Sequence, residues 1–213
     1  MITVIFYSLQ LSANGQVEQL SAFALTGENF SAVIKTTIRA TQSPNLKVIP
    51  PEIFDVIAED LTAAITRFLQ WTRMVHSMRT RGNQEMNNIL LTAHGGACGD
   101  HVYLIRAMLA CGIEPPHFRL ADSVALHNRF SKQECLERLA AEHTSRLTYL
   151  PYSACSTARI LRAITISQFP KTTEACYTFS VSYIEFANRT GLGMYGIREL
   201  PFFLSDFLEN ALN

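Results

Sequence analysis

The chain has 213 residues, 48% of them apolar and 17% charged, which allows one substantial buried core and excludes a disordered or fibrous class. Eighteen basic and eighteen acidic residues cancel, so no whole-molecule field pulls the chain towards nucleic acid, and any such binding has to rest on a local patch. The five cysteines, Cys98, Cys111, Cys135, Cys155 and Cys176, are odd in number and widely spaced, which fits buried thiols in a reducing, intracellular setting.

The first segment, Thr3–Leu9 (TVIFYSL), is nearly continuous in apolarity, as a central strand covered on both faces would be. Its flank carries no basic n-region, unlike a signal peptide, and no run approaches the ~18 apolar residues of a membrane span, so a soluble protein without membrane partners is expected. Asn14-Gly15 signals a hairpin, and Val17–Leu25 and Phe30–Ile38 supply two further strands of an antiparallel meander. Ser43–Pro51, with three prolines, reads as a loop. From Glu59 to about Val75 apolar residues recur at helical spacing, with Glu59 and Asp60 as favourable charges at the helix start.

Thr80–Asn87 is a polar turn, Asn88–Thr92 a buried strand, and Asp100–Cys111 a helix that ends at Gly112. Pro115-Pro116 precedes a fifth strand, His117–Ala121. The remainder reads mostly helical: Lys132–Glu142, Ser153–Ile166, an ambiguous apolar stretch from Thr173 to Ala187, and an amphipathic Leu200–Leu212. Gly191–Gly196 reads as a flexible connection, since no strand and helix flank it as a phosphate loop requires.

Two polar constellations invite chemistry. His94-X3-Cys98-X2-His101 with Cys111 outlines a zinc site, but the spacing is not that of recognised knuckles, and no metal ligand is assigned. A Cys98 nucleophile lacks an adjacent third group. Arg67, Arg73, His76, Arg79 and Arg81 cluster on and after the long helix around Trp71, either as a phosphate-contacting patch with a stacking aromatic or as a solvated helix face. Arg159 and Arg162 lie three apart, on one helical face.

The segment LLTAHGGACGDHVYL, Leu90–Leu104, resembles the second motif of the DEDD-type (DnaQ-like) 3′→5′ exonucleases, an apolar strand running into Ala-His and then an aspartate that opens a helix. IFYSLQLSANGQVEQLSAFAL resembles the family's first motif with its following strand, and His117-Phe-Arg-Leu-Ala-Asp122-Ser123 its later strand, whose aspartate is structural. Tyr152-Ser-Ala-Cys-Ser-Thr157-Ala158 is the nearest match to the third motif. The resemblance covers roughly residues 1–166. It implies an α/β, ribonuclease-H-like exonuclease fold with a five-stranded mixed sheet flanked by helices, and a helical C-terminal extension, 167–213, packed on the same domain.

The resemblance also places Ser8 and Gln10 where the family carries Asp-X-Glu, Asp100 at the second-motif aspartate, Tyr152 at the general-base histidine and Thr157 at the last aspartate. The family holds two divalent ions roughly 3.5–4 Å apart, and four acids approximately balance them. Here only Asp100 remains charged, and a tyrosine is a poor base at neutral pH. The implied protein is a degenerate, inactive relative without a cofactor. It acts as a protein-interaction or self-association module, with single-stranded RNA or DNA as an alternative ligand held by Arg73, Arg79, Arg81, Arg159 and Arg162. Residual metal-dependent exonuclease activity is the third reading.

Overall fold

The computed structural model describes residues 1–36, 51–80, 86–127, 136–144, 147–150 and 152–192. Its centre is β1 (Thr3–Leu11), whose side chains alternate between two cores because successive residues of a strand point to opposite faces. Val4 and Phe6 enter one core, and Ile5, Tyr7 and Leu9 the other. β1 turns at Asn14-Gly15, where Gly15 takes φ +77° and the Ser12 hydroxyl accepts from Gln16 N–H at 2.9 Å, into the antiparallel β2 (Val17–Ala24). β3 (Asn29–Ile34) completes the meander.

On the other side β1 pairs in parallel with β5 (Ile89–Ala93), which pairs in parallel with β6 (Arg119–Asp122). Two short strands extend the sheet beyond the five expected. β4 (Ala58–Glu59) runs parallel to β3, and β7 (Ser180–Ser182) antiparallel to β6, for a seven-strand order β4-β3-β2-β1-β5-β6-β7. Segments of two and three residues are too short to carry an alternating pattern, so only their partners define them.

α1 (Pro51–Ile57) begins at the proline expected to end a loop, since proline suits a first helical position; residues 43–50 of that loop lie outside the described residues. Glu59 belongs to β4 rather than to a helix start, and its carboxylate pairs with Arg67. α2 (Leu61–Thr80) buries Ala64, Ile65, Phe68, Leu69, Thr72, Val75 and His76 against the sheet. α3 (Asp100–Ala110) ends with Gly112 at φ +68°, as expected, and α4 (Ser123–His127) follows β6 directly.

α5 (Leu136–His143) and α6 (Ala154–Gln168) share a small core of Leu136, Leu139, Ala140, Ile160 and Ile164. The ambiguous stretch resolves into α7 (Thr172–Thr178), β7 and α8 (Tyr183–Thr190). The Leu200–Leu212 helix and Gly193–Gly196 lie outside the described residues. So the sheet lies between α2, α3 and α8 on one face and α4, α6 and α7 on the other. Among the described residues no helix is long and apolar enough to cross a membrane.

A buried chain of polar groups ties the sheet to α3. The Tyr7 hydroxyl donates to His101 Nδ1 at 2.7 Å, and His101 Nε2–H donates to the Ala121 carbonyl at 3.0 Å. That pattern sets the tautomer, because the carbonyl can only accept. The ring lies against Gly96, where an added Cβ would stand 2.5 Å from His101 Nε2. Gly96→Ala is therefore expected to lower stability by about 2–3 kcal/mol through overpacking. Tyr7→Phe, which leaves a buried imidazole acceptor unmet, should cost about 1–2 kcal/mol. Because both act through one ring, the double variant should cost less than the sum. Urea unfolding of the three variants measures this, and losses below about 0.5 kcal/mol for both single variants would show that the ring is not so confined.

Candidate functional site

β1 and β5 are paired from Thr3↔Ile89 to Phe6↔Thr92. Beyond that point Leu9 N–H donates instead to Asp100 Oδ2, at 3.3 Å. Asp100 reaches this place because β5 runs into a tight turn, Gly95–Gly99, that starts α3 at the mouth of the gap. Asp122 builds the turn: its carboxylate accepts from Gly95 N–H (3.0 Å), Ala97 N–H (2.9 Å) and Val124 N–H (2.9 Å). With all three bonds spent on backbone, Asp122 is structural, as the motif implied.

Ser8 and Gln10 point to the face of β1 that α6 covers, the face of Val4 and Phe6. Ser8 is buried, and its hydroxyl lies close enough to Asp100 to favour the ionised carboxylate. Burial dominates all the same. It pushes the Asp100 carboxyl up to about 7, against the opposing pull of Leu9 N–H and Ser8, with the charge of Asp122 adding to the rise.

Gln10 stands opposite Gln19 in the β1–β2 ladder. The Gln19 amide reaches the start of α6, where its Nε2 donates to the Tyr152 carbonyl (3.3 Å) and its Oε1 accepts from Ala154 N–H (3.2 Å). Tyr152 itself is exposed and takes φ +64°. Thr157 sits in the first turn of α6, on the helix that packs against β1 and β2. Its hydroxyl oxygen is buried with no hydrogen-bond partner among the described residues.

The motif-aligned positions thus fall into two groups, Ser8 with Asp100, and Gln10 with Gln19 and Tyr152, with Thr157 carried on α6. Gln19 is the side chain joining β2 to the start of α6 that the sequence did not single out. It registered only as part of a motif string, although its place across the hairpin from Gln10 was readable from the Asn14-Gly15 turn.

The other candidates disperse. Arg162 donates to the carbonyls of Ala24 (2.9 Å) and Leu25 (2.8 Å), and with Arg79 it flanks Glu28. Ala24 pairs with Ile5, three residues before Ser8, so these cations sit about 10 Å along the strand from Asp100. The Glu28 carboxyl is held below its ordinary range, first by the Thr26 hydroxyl and then by its own backbone N–H, Arg79 and Arg162.

Trp71 packs on Phe68 and Phe30 rather than standing open for stacking, and His76 is buried, bonded to Thr3 through Nδ1 at 2.8 Å. The expected patch on α2 is thereby reduced to exposed Arg73 with Arg67 beside Glu59, and Arg81 lies outside the described residues. Arg159 is exposed on α6. The zinc outline does not close either. His101 spends both ring nitrogens internally, and His94 pairs with Ser123 at 2.9 Å.

Among the described residues no three His, Cys, Asp or Glu side chains cluster as a metal site. Magnesium demands several oxygen ligands and gives up its water reluctantly. One carboxyl raised to about 7, with the neutral Ser8 hydroxyl beside it, does not fit a pair of divalent ions.

The chain matches no family model and no curated protein sequence. Its likeness is to solved structures of exonuclease I. The Methylocaldum szegediense protein superposes with a TM-score of 0.52 at 13% identity, over 89% of this chain and 44% of that one. Exonuclease I of Escherichia coli in complex with a dA16 oligonucleotide gives 0.54 at 13% identity, over 84% and 43%. A further exonuclease I structure, concerned with processivity, gives 0.55 at 14% identity, over 84% and 44%. The fold is therefore the ribonuclease-H-like exonuclease fold. The chain spans less than half the length of those enzymes.

A carboxyl raised to about 7 binds its proton more tightly in the folded than in the unfolded state, whose ordinary value lies near 4. The native protein should consequently lose stability as pH rises from about 4 to about 7 and level off above. Asp100→Asn removes this dependence. Its stability relative to the native protein is expected to improve across that window by up to about 4 kcal/mol. Urea unfolding at several pH values reads the difference, and parallel profiles would place Asp100 in a solvated setting.

Proposed function

We propose that this chain is a non-catalytic, exonuclease-like binding domain whose ligand is single-stranded nucleic acid, held in the cleft at the end of β1 without being cut. The observation that carries the reading is the setting of Asp100, whose carboxyl burial pushes up to about 7, while Ser8, Gln10 and Thr157, aligned with the family's other acids, bring only neutral oxygens. Hydrolysis on this fold needs a positioned hydroxide and charge neutralisation at the leaving oxygen, both from metal ions. The residues present provide neither, and Tyr152 stands where a histidine base would.

Exonuclease I of Escherichia coli holds a dA16 oligonucleotide in its structure. The shared fold supports binding of a related strand here. The exonuclease-like domain is taken as residues 1–166, with 167–213 as an extension packed on it; α7, β7 and α8 of that extension already contact β1, β5 and β6.

A protein-interaction or self-association role is favoured by a different feature. α1 exposes Ile53, Val56 and Ile57, with Val56 83% exposed, on a chain of zero net charge. Sedimentation at rising concentration tests self-association.

The nuclease test is incubation of single- and double-stranded DNA and RNA with manganese present, beside an Asp100→Ala control. No degradation above the control is expected. Cleavage that disappears in Asp100→Ala would overturn the reading, because it would show a working metal site. Binding is measured separately by titrating a labelled oligonucleotide against salt. Affinity should fall with a log–log slope of about 0.7 per phosphate contacted, and a salt-independent affinity would argue against a nucleic-acid ligand.

A further inference from the structure

On the sheet face that carries Ile5, Tyr7 and Leu9, opposite to that of Ser8 and Gln10, a cavity of about 270 Å³ opens. It lies between the β1–β2 hairpin, the end of β3, the start of α2 and one side of α3. Space remains there because two of these elements bring almost no side chain. Gly15 holds the hairpin turn at φ +77°, a conformation that residues with a Cβ rarely adopt, and α3 presents Ala107 and Ala110. The rest of the wall is largely apolar, with Val17, Ile34 and Leu61 belonging to the edge of the main core. Ligand pockets span roughly 300–1,000 Å³, so this one limits its occupant to a small molecule.

Two cations line the same hollow. Lys35 is exposed and Arg106 partly buried, and neither makes an ion pair among the described residues. Glu59, whose carbonyl accepts from Lys35 N–H, gives its carboxylate to Arg67 instead. Arg106 is steadied by the ring of Tyr103, one turn back on α3, with 5.8 Å from the guanidinium carbon to the ring centroid. A cation–π contact of that kind consumes no hydrogen-bond donor, so the guanidinium fork stays available. Among the described residues no carboxylate lines the cavity.

Wall and charge together indicate the occupant. An apolar body would displace water from Val17, Ile34 and Leu61, and an anionic end would meet two cations that the fold leaves unneutralised. The planar fork of an arginine matches a carboxylate in particular.

We propose that this cavity binds a small apolar carboxylate, its chain on Val17, Ile34 and Leu61 and its head group met by Lys35 and Arg106. The site lies on the other face of the sheet from Ser8 and Gln10, and it stands independently of the nucleic-acid function proposed above.

The test is calorimetric titration of the full chain with sodium octanoate, octanol and inorganic phosphate. Octanoate should bind about tenfold more tightly than octanol, which has the same chain without the charge, and phosphate, which has charge without a chain, should bind far more weakly. Lys35→Gln and Arg106→Gln should each weaken octanoate about tenfold and leave octanol unchanged, because only the charged contact is lost. Ala110→Leu, at an exposed position of α3, fills the hollow and should abolish binding of both while the urea midpoint is kept, which separates lost space from a lost fold.

Equal affinity for octanoate and octanol, or native-like octanoate binding by both charge variants, would overturn the proposal by removing its anionic end. Phosphate binding as tight as that of octanoate would overturn it by removing the apolar one. Absence of octanoate binding at millimolar concentration, or octanoate binding untouched in a folded Ala110→Leu protein, would show that this cavity is not the site.

Discussion

The buried Tyr7–His101–Ala121 chain is the constraint on which the rest of the cleft depends. It joins the central strand, the helix that carries Asp100 and the β6 strand through one imidazole, which Phe186 also meets edge-on at 5.8 Å. Burial lowers the His101 pKa to about 4, opposed by the charge of Asp122 and the Ala121 bond. The ring is therefore neutral at physiological pH, with one donor and one acceptor matched to its two partners. A charged imidazole would have to donate from both nitrogens, reversing the Tyr7 hydrogen bond, in a site whose burial disfavours the charge. The ring also explains the glycine at position 96, because no side chain fits between it and the turn. Through that turn the brace sets where α3 begins and so where the Asp100 carboxylate meets Leu9 N–H.

This geometry bears on the chemistry in an unexpected direction. In a metal-dependent nuclease an aspartate at this place is kept ionised by cations and shares them with other acids. Here Ser8 brings a neutral hydroxyl and the nearby charge of Asp122 is negative, so nothing positive offsets burial, and the Asp100 carboxyl rises to about 7. Its remaining stabilisation comes from one backbone N–H and the Ser8 hydroxyl.

The cations illustrate how far side-chain placement departs from linear proximity. Arg159 and Arg162 are three residues apart on one helix, yet one faces solvent while the other is occupied by the carbonyls of Ala24 and Leu25. Trp71 and His76, set among arginines in the sequence, point inward, because the buried stripe of α2 passes through Phe68, Thr72 and His76. Helical spacing alone identifies the stripe only when its members are apolar. A histidine and a tryptophan at its margin read equally well as surface groups.

Much of the fold is legible in the chain itself. The period-two runs around Tyr7, Leu20 and Phe30, the Asn14-Gly15 turn, the helical stripe through Phe68 and the apolar Ile89–Ala93 each state a local preference that packing then satisfies. Tertiary structure alone decided the rest. β4 and β7 exist only by pairing, Gln19 reaches the Tyr152 carbonyl only when β2 meets α6, and the positive φ of Tyr152 has no counterpart in the local sequence. The Asp100 proton affinity is of the same kind, since it follows from how much water the fold removes around one carboxyl, a quantity that no local pattern of residues encodes.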